Sequence, residues 1–137
     1  MTRSGGPASV LVVDDEEDIV EYLCAVLEDH GYRALPATGA REALSLAGRE
    51  RPDLVVLDIM MPGQTGLSLY RQLRALPGMR DTPVLILSGV ARAEDSEPSG
   101  APSWLDTTLE GPYVYLEKPI QPNRLLARLA ELLPSGG

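Results

Sequence analysis

Apolar residues gather in short, nearly unbroken runs at 10–13, 54–57, 84–87 and 113–116, each built from Val, Ile, Leu or Tyr. Strict alternation would mark strands with one wet face, whereas unbroken runs mark strands covered on both faces, as in a parallel sheet. A fifth, weaker run covers 32–37. Between the runs the apolar spacing lengthens to that of helices. Ile19, Leu23, Val26 and Leu27 share one face of a helix over 17–29, and Gly31 is placed to end it in a left-handed cap. Helices are also expected over 40–49, with Thr38 as N-cap, and over 67–76, stopped by Pro77 and Gly78. The last covers 123–133, with Pro122 near its first turn and Leu125, Leu129, Leu132 and Leu133 on its apolar side.

Strands alternating with helices imply βαβ units, whose right-handed crossovers join parallel strands into a three-layer α/β sandwich. One stretch breaks the rhythm. Residues 91–112 hold Pro98, Ser99, Gly100, Pro102, Gly111 and Pro112, so a helix there should be short or displaced. One domain is expected over 9–133, with flexible termini at 1–8 and 134–137 and no linker to a second domain.

Composition narrows the function classes. A net charge of −8 is unsuited to the phosphates of nucleic acid, so direct nucleic-acid binding is not expected. No apolar run reaches membrane-span length and the first nine residues lack a secretory apolar core, so no membrane insertion and a cytoplasmic location are expected. Cys24, the only cysteine, sits in a helical pattern as a small buried hydrophobe. His30, the only histidine, falls at a helix C-terminus, where it complements the dipole rather than serving as a base.

Ligands of an open parallel α/β sheet bind beyond the carboxyl ends of its strands. Here those ends carry Asp14 and Asp15, then Asp58, then Ser88, then Glu117 and Lys118. Taken singly, a strand-end Asp is an ordinary N-cap or loop residue, Ser88 a turn residue and Lys118 a solvated lysine. Their joint occurrence at four strand ends requires another cause. Three clustered carboxylates call for a cation, and hard oxygen donors favour Mg²⁺, with Mn²⁺ as the alternative. Mg²⁺ is commonly shared with a phosphate, and an Asp carboxylate can itself accept a phosphoryl group.

The motifs at 11–18 (LVVDDEED), 52–63 (PDLVVLDIMMPG) with Gly66, 84–89 (VLILSG) and 117–119 (EKP) resemble those of the receiver domain of two-component response regulators, in order and on the right elements. The resemblance implies a flavodoxin-like, doubly wound five-stranded parallel sheet, (βα)5, with an irregular fourth helix region. It also implies a single-domain, chemotaxis-type receiver that takes phosphate from a sensor histidine kinase or histidine phosphotransfer protein and then engages a downstream protein. Asp58 corresponds to the phosphoacceptor. Asp15 corresponds to a direct Mg²⁺ ligand, Asp14 to one acting largely through water, and Met60 to the ligating backbone carbonyl. Ser88 matches the hydroxyl that turns to the phosphoryl oxygens, Gly89 the amide beside it, and Lys118 the phosphate-pairing lysine. Pro119 implies a cis Lys118–Pro119 bond. Tyr115 matches the aromatic switch position, whose alternative role is that of a half-buried strand tyrosine.

Two departures stand out. From Ser88 to Lys118 is 30 positions, longer than is usual for the family, with the excess at 91–112. This stretch, including Trp104, is expected to form a surface of its own, the Trp packing on the core. Met60 and Val90, two residues beyond Asp58 and Ser88, are apolar and cannot orient water, so slow loss of phosphate is expected. The competing readings are a phosphorylation-independent interaction module on the same fold and a haloacid dehalogenase-type phosphatase. The latter wants a second Asp where this chain has Met60, so a turnover enzyme is not expected.

Overall fold

In the computed structural model, which describes residues 7–58, 66–88, 113–117 and 121–133, strands and helices alternate through the first four strands. They are β1 (Ser9–Val13), α1 (Glu17–Asp29), β2 (Arg33–Ala37), α2 (Ala40–Glu50), β3 (Leu54–Asp58), α3 (Gly66–Ala75), β4 (Val84–Ser88), β5 (Tyr113–Glu117) and α4 (Pro122–Leu132). The five strands form one parallel sheet in the order β2-β1-β3-β4-β5. This is the doubly wound, flavodoxin-like order, in which the chain reverses direction across the sheet between β1 and β3. The expected irregular region at 91–112, with Trp104, lies outside the described residues, as do 1–6 and 134–137.

The unbroken apolar runs follow from the layering, because successive side chains of a strand point to opposite faces and both faces are covered. Val10, Val12, Leu54, Val56, Leu85 and Leu87 meet Val20, Leu23 and Leu27 of α1 and Leu125 and Leu129 of α4. Leu11, Val13, Val55, Leu57 and Ile86 meet Ala43 and Ala47 of α2 and Leu69, Tyr70 and Leu73 of α3. Each of these larger side chains contributes about 1.5–3 kcal/mol by leaving water. The strands are thereby held rigidly, and so are the residues at their ends.

Helix boundaries show where local chemistry decides. Gly31 has φ +89°; its N–H donates to the Glu28 carbonyl at 3.2 Å and the Tyr32 N–H to that of Leu27 at 3.0 Å. This is the left-handed cap expected for α1, with Tyr32 packed against the core below it. Pro122 occupies the first turn of α4, also as expected. Two expectations are corrected. On α1, Val20 is buried and Val26 only half-buried, because the helix turns its 20–23–27 stripe to the sheet. Thr38 is not the N-cap of α2: Gly39 is, without a side-chain bond. Instead the Glu42 carboxylate reaches back to accept the Thr38 N–H at 2.9 Å.

Candidate functional site

Register puts the acidic residues together. Val13 pairs with Leu57, so Asp14, the next residue after β1, lies level with Asp58 at the end of β3. Alternation aims both carboxylates to the side of the sheet covered by α1 and α4, following Val12 and Val56. Asp14 is fully buried and Asp58 is 3% exposed, while Asp15 stands in solvent. Carboxylate oxygens of all three lie within 4.8 Å of one another.

The turn between β1 and α1 holds this arrangement. The Asp14 N–H donates to the Ala37 carbonyl at 3.1 Å, tying it to β2, and the Glu16 N–H donates to the Asp14 carboxylate at 3.0 Å. Glu16 was not singled out from the sequence. Its part is played by the backbone, and only the position directly after the paired aspartates hints at it.

Three negative oxygens at this spacing, two of them largely out of water, repel one another unless a cation sits among them. The donor set is entirely hard oxygen and can supply two or three ligands while leaving room for water and a phosphate, which fits Mg²⁺ better than a softer metal.

Of the other residues singled out from sequence, Ser88 ends β4 one position beyond Leu87, the residue paired with Asp58, and itself pairs with Glu117. Its backbone is thus on the strand next to Asp58, one residue further toward the carboxyl edge. Tyr115 lies in β5 opposite Ile86. Met60, Gly89, Val90, Lys118 and Pro119 lie outside the described residues.

Cys24 and His30 take no part. Cys24 is half-buried rather than buried as expected; desolvation, with Glu28 adding a smaller effect, pushes its thiol up to about 11, so it stays protonated at neutral pH. His30 caps the far end of α1, exposed, with Nδ1 2.9 Å from the Val26 carbonyl. A surface cleft lined by Asp53, Gly78, Arg80, Asp81, Thr82 and Pro83 lies at the opposite, amino edge of the sheet. Asp53 is engaged there, accepting the Ser9 N–H at 2.8 Å, so the cleft adds nothing to the acidic cluster.

Comparison with known proteins gives the same assignment from sequence and from fold. The family model "Response regulator receiver domain" matches residues 10–130. "Response regulator MprA" of Mycolicibacterium vanbaalenii is 42% identical over 127 residues, 93% of this chain and 51% of that protein. The phosphate regulon transcriptional regulatory protein PhoB of Pseudomonas aeruginosa is 33% identical over 94% of this chain and 53% of its own length. The chain thus spans about half the length of these curated relatives. Among solved structures, the chemotaxis protein CheY4 of Vibrio cholerae superposes with a TM-score of 0.76 at 30% identity, covering 93% of this chain and all of that one. With the family model matching most of its length and the sheet order in agreement, this chain belongs to the response regulator receiver domain family.

Proposed function

We propose that the protein is a phosphoacceptor signalling domain that takes a phosphoryl group from a phosphohistidine onto Asp58. The observation that carries this reading is the approach of Asp14, Asp15 and Asp58 to within 4.8 Å at the carboxyl edge of a receiver fold. In the transfer, an Asp58 carboxylate oxygen forms a bond to phosphorus as the bond from phosphorus to the imidazole nitrogen breaks, and the histidine leaves. Asp58 is held by β3 within the sheet, so its reacting oxygen is aimed without a reorganisation cost. Its 3% exposure leaves a narrow approach for the donor and keeps most water from the product.

Asp15, Asp14 and Asp58, with the Met60 carbonyl, would hold Mg²⁺, which would supply positive charge to the oxygens of the transferring group. Asp14, fixed by the Glu16 N–H, orients from beneath, while exposed Asp15 faces the incoming phosphate. Lys118, the Ser88 hydroxyl and the Gly89 amide take the remaining phosphoryl oxygens. The added charge then favours the conformation whose donors can bond it, with Ser88 and Tyr115 as the moving parts. A sensor histidine kinase or histidine phosphotransfer protein is the donor and a downstream protein reads the altered surface. A cytoplasmic location is part of this proposal; among the described residues no helix is long and apolar enough to cross a membrane.

The test is intact-mass analysis after incubation with Mg²⁺ and a small phosphodonor, for wild type and Asp58→Asn. A gain of one phosphoryl group in wild type alone is expected. No gain in wild type would instead favour an interaction module that works without phosphorylation.

A further inference from the structure

The sheet ends at β2, and among the described residues no strand stands on its outer side. A sheet edge offers unpaired N–H and C=O groups to any chain that can lie along it, a second copy of the protein included. Which groups are offered follows from the register. Arg33, paired with Ser9, donates its N–H to the Ala8 carbonyl at 2.8 Å, and the Ala37 carbonyl, at the other end of the strand, accepts the Asp14 N–H at 3.1 Å. Backbone groups alternate sides along a strand, so those of Arg33, Leu35 and Ala37 face β1 while those of Ala34 and Pro36 face outward.

That spacing is self-complementary. Two copies meeting antiparallel about a twofold axis at Leu35 would set Ala34 of one against residue 36 of the other. With an N–H at 36, each such pair would exchange both of its N–H···O bonds. Proline has no N–H to give, and its ring fills the space into which the facing carbonyl would come.

Other guards of this edge are weak. Arg33 is an edge cation, but its guanidinium is drawn to Glu50 of α2 at 3.1 Å. Leu35 and Ala37 are buried and Ala34 is half-buried, so none of them projects a charge from the edge. Pro36 is exposed, so core packing does not account for it.

We infer that Pro36 closes the β2 edge to a second copy of this chain: without it, two sheets would join across β2 into one. This closure is independent of the chemistry at Asp58, and it leaves association between copies to other faces.

Self-association of unphosphorylated wild type, Pro36→Thr and Ala34→Pro/Pro36→Thr is measured by sedimentation velocity, with the exchange of backbone amides followed by NMR. Threonine restores the N–H, favours strands and adds little apolar surface. The double variant removes instead the other outward N–H, which makes no bond to β1. Pro36→Thr should associate at least about 30-fold more tightly than wild type, from one further hydrogen bond in each of the facing pairs. The amides of residues 34 and 36 should be protected in the associated form. The double variant should return to wild-type behaviour. Urea unfolding checks that each variant is folded, and Pro36→Ala, which restores the N–H on a smaller side chain, should shift association in the same direction.

Association of folded Pro36→Thr or Pro36→Ala no tighter than that of wild type would overturn the inference. So would a tighter association that leaves both amides exchanging freely, or one that persists in the double variant.

Discussion

Replacing Asp58 by Asn should stabilise the metal-free protein while abolishing its response to Mg²⁺. The substitution keeps the size of a side chain that is 3% exposed and removes one of three negative charges within 4.8 Å. At that separation each like-charge pair is worth about 3 kcal/mol at an effective dielectric of about 20. Asp14 is fully buried, so its repulsion of Asp58 is screened less than that of exposed Asp15. Relaxation absorbs part of this, which leaves an expected gain of about 1–3 kcal/mol, or about 4 °C in Tm for each kcal/mol in a chain of this size.

Mg²⁺ should act in the opposite sense on the pair. At a hundredfold excess over its Kd it adds about 2.7 kcal/mol to a protein that binds it only when folded. Thermal unfolding with chelator and with Mg²⁺ should therefore find the variant ahead in chelator and wild type closing the gap in Mg²⁺. A variant no more stable than wild type in chelator, or an equal Mg²⁺ shift in both, would refute the electrostatic reasoning.

Gly31→Ala should cost about 1 kcal/mol by urea unfolding: nothing lies within 4 Å of the added methyl group, so the cost is that of φ +89° alone. Arg74 donates to the Met79 carbonyl at 3.0 Å, to that of Thr82, and to the hydroxyl of fully buried Tyr70 at 2.9 Å. Arg74→Met removes these three bonds and should cost about 1–3 kcal/mol in the same assay. Cys24, with its thiol pushed up to about 11, should alkylate at pH 8 far more slowly in the native protein than in urea, and equal rates would show that it is not shielded. Polar residues in place of Met60 and Val90, able to orient water, should speed loss of phosphate in a mass-resolved decay, and an unchanged lifetime would remove the role assigned to their apolarity.

Much of the fold was legible because the relevant physics is local. Apolar runs at 10–13, 54–57 and 84–87 mark buried strands whatever their neighbours, while the run at 113–116 forms an edge strand with Tyr113 and Val114 only half-buried, and Gly31 and Pro122 mark helix ends through their own backbone constraints. Competition between nearby groups was less legible. Thr38 has the chemistry of an N-cap, but the Glu42 carboxylate takes its amide, and Val20 rather than Val26 faces the sheet because the angle of α1 is set by packing.

What the sequence determined by itself was the inventory: five strands, the helices between them, and chemically useful side chains at the strand ends, each settled by a few consecutive residues. Tertiary structure decided who meets whom. Asp14 and Asp58 are 44 residues apart and come together only because β1 and β3 are neighbours in register, with Val13 opposite Leu57. Strand order is a property of the whole sheet, set by crossover handedness and by covering both of its faces at once, and no local spacing encodes it. Burial followed the same division: nothing in the pair Asp14-Asp15 distinguishes the residue that ends under the sheet edge from the one left in water, and the alternation of β1 against α1 makes that choice.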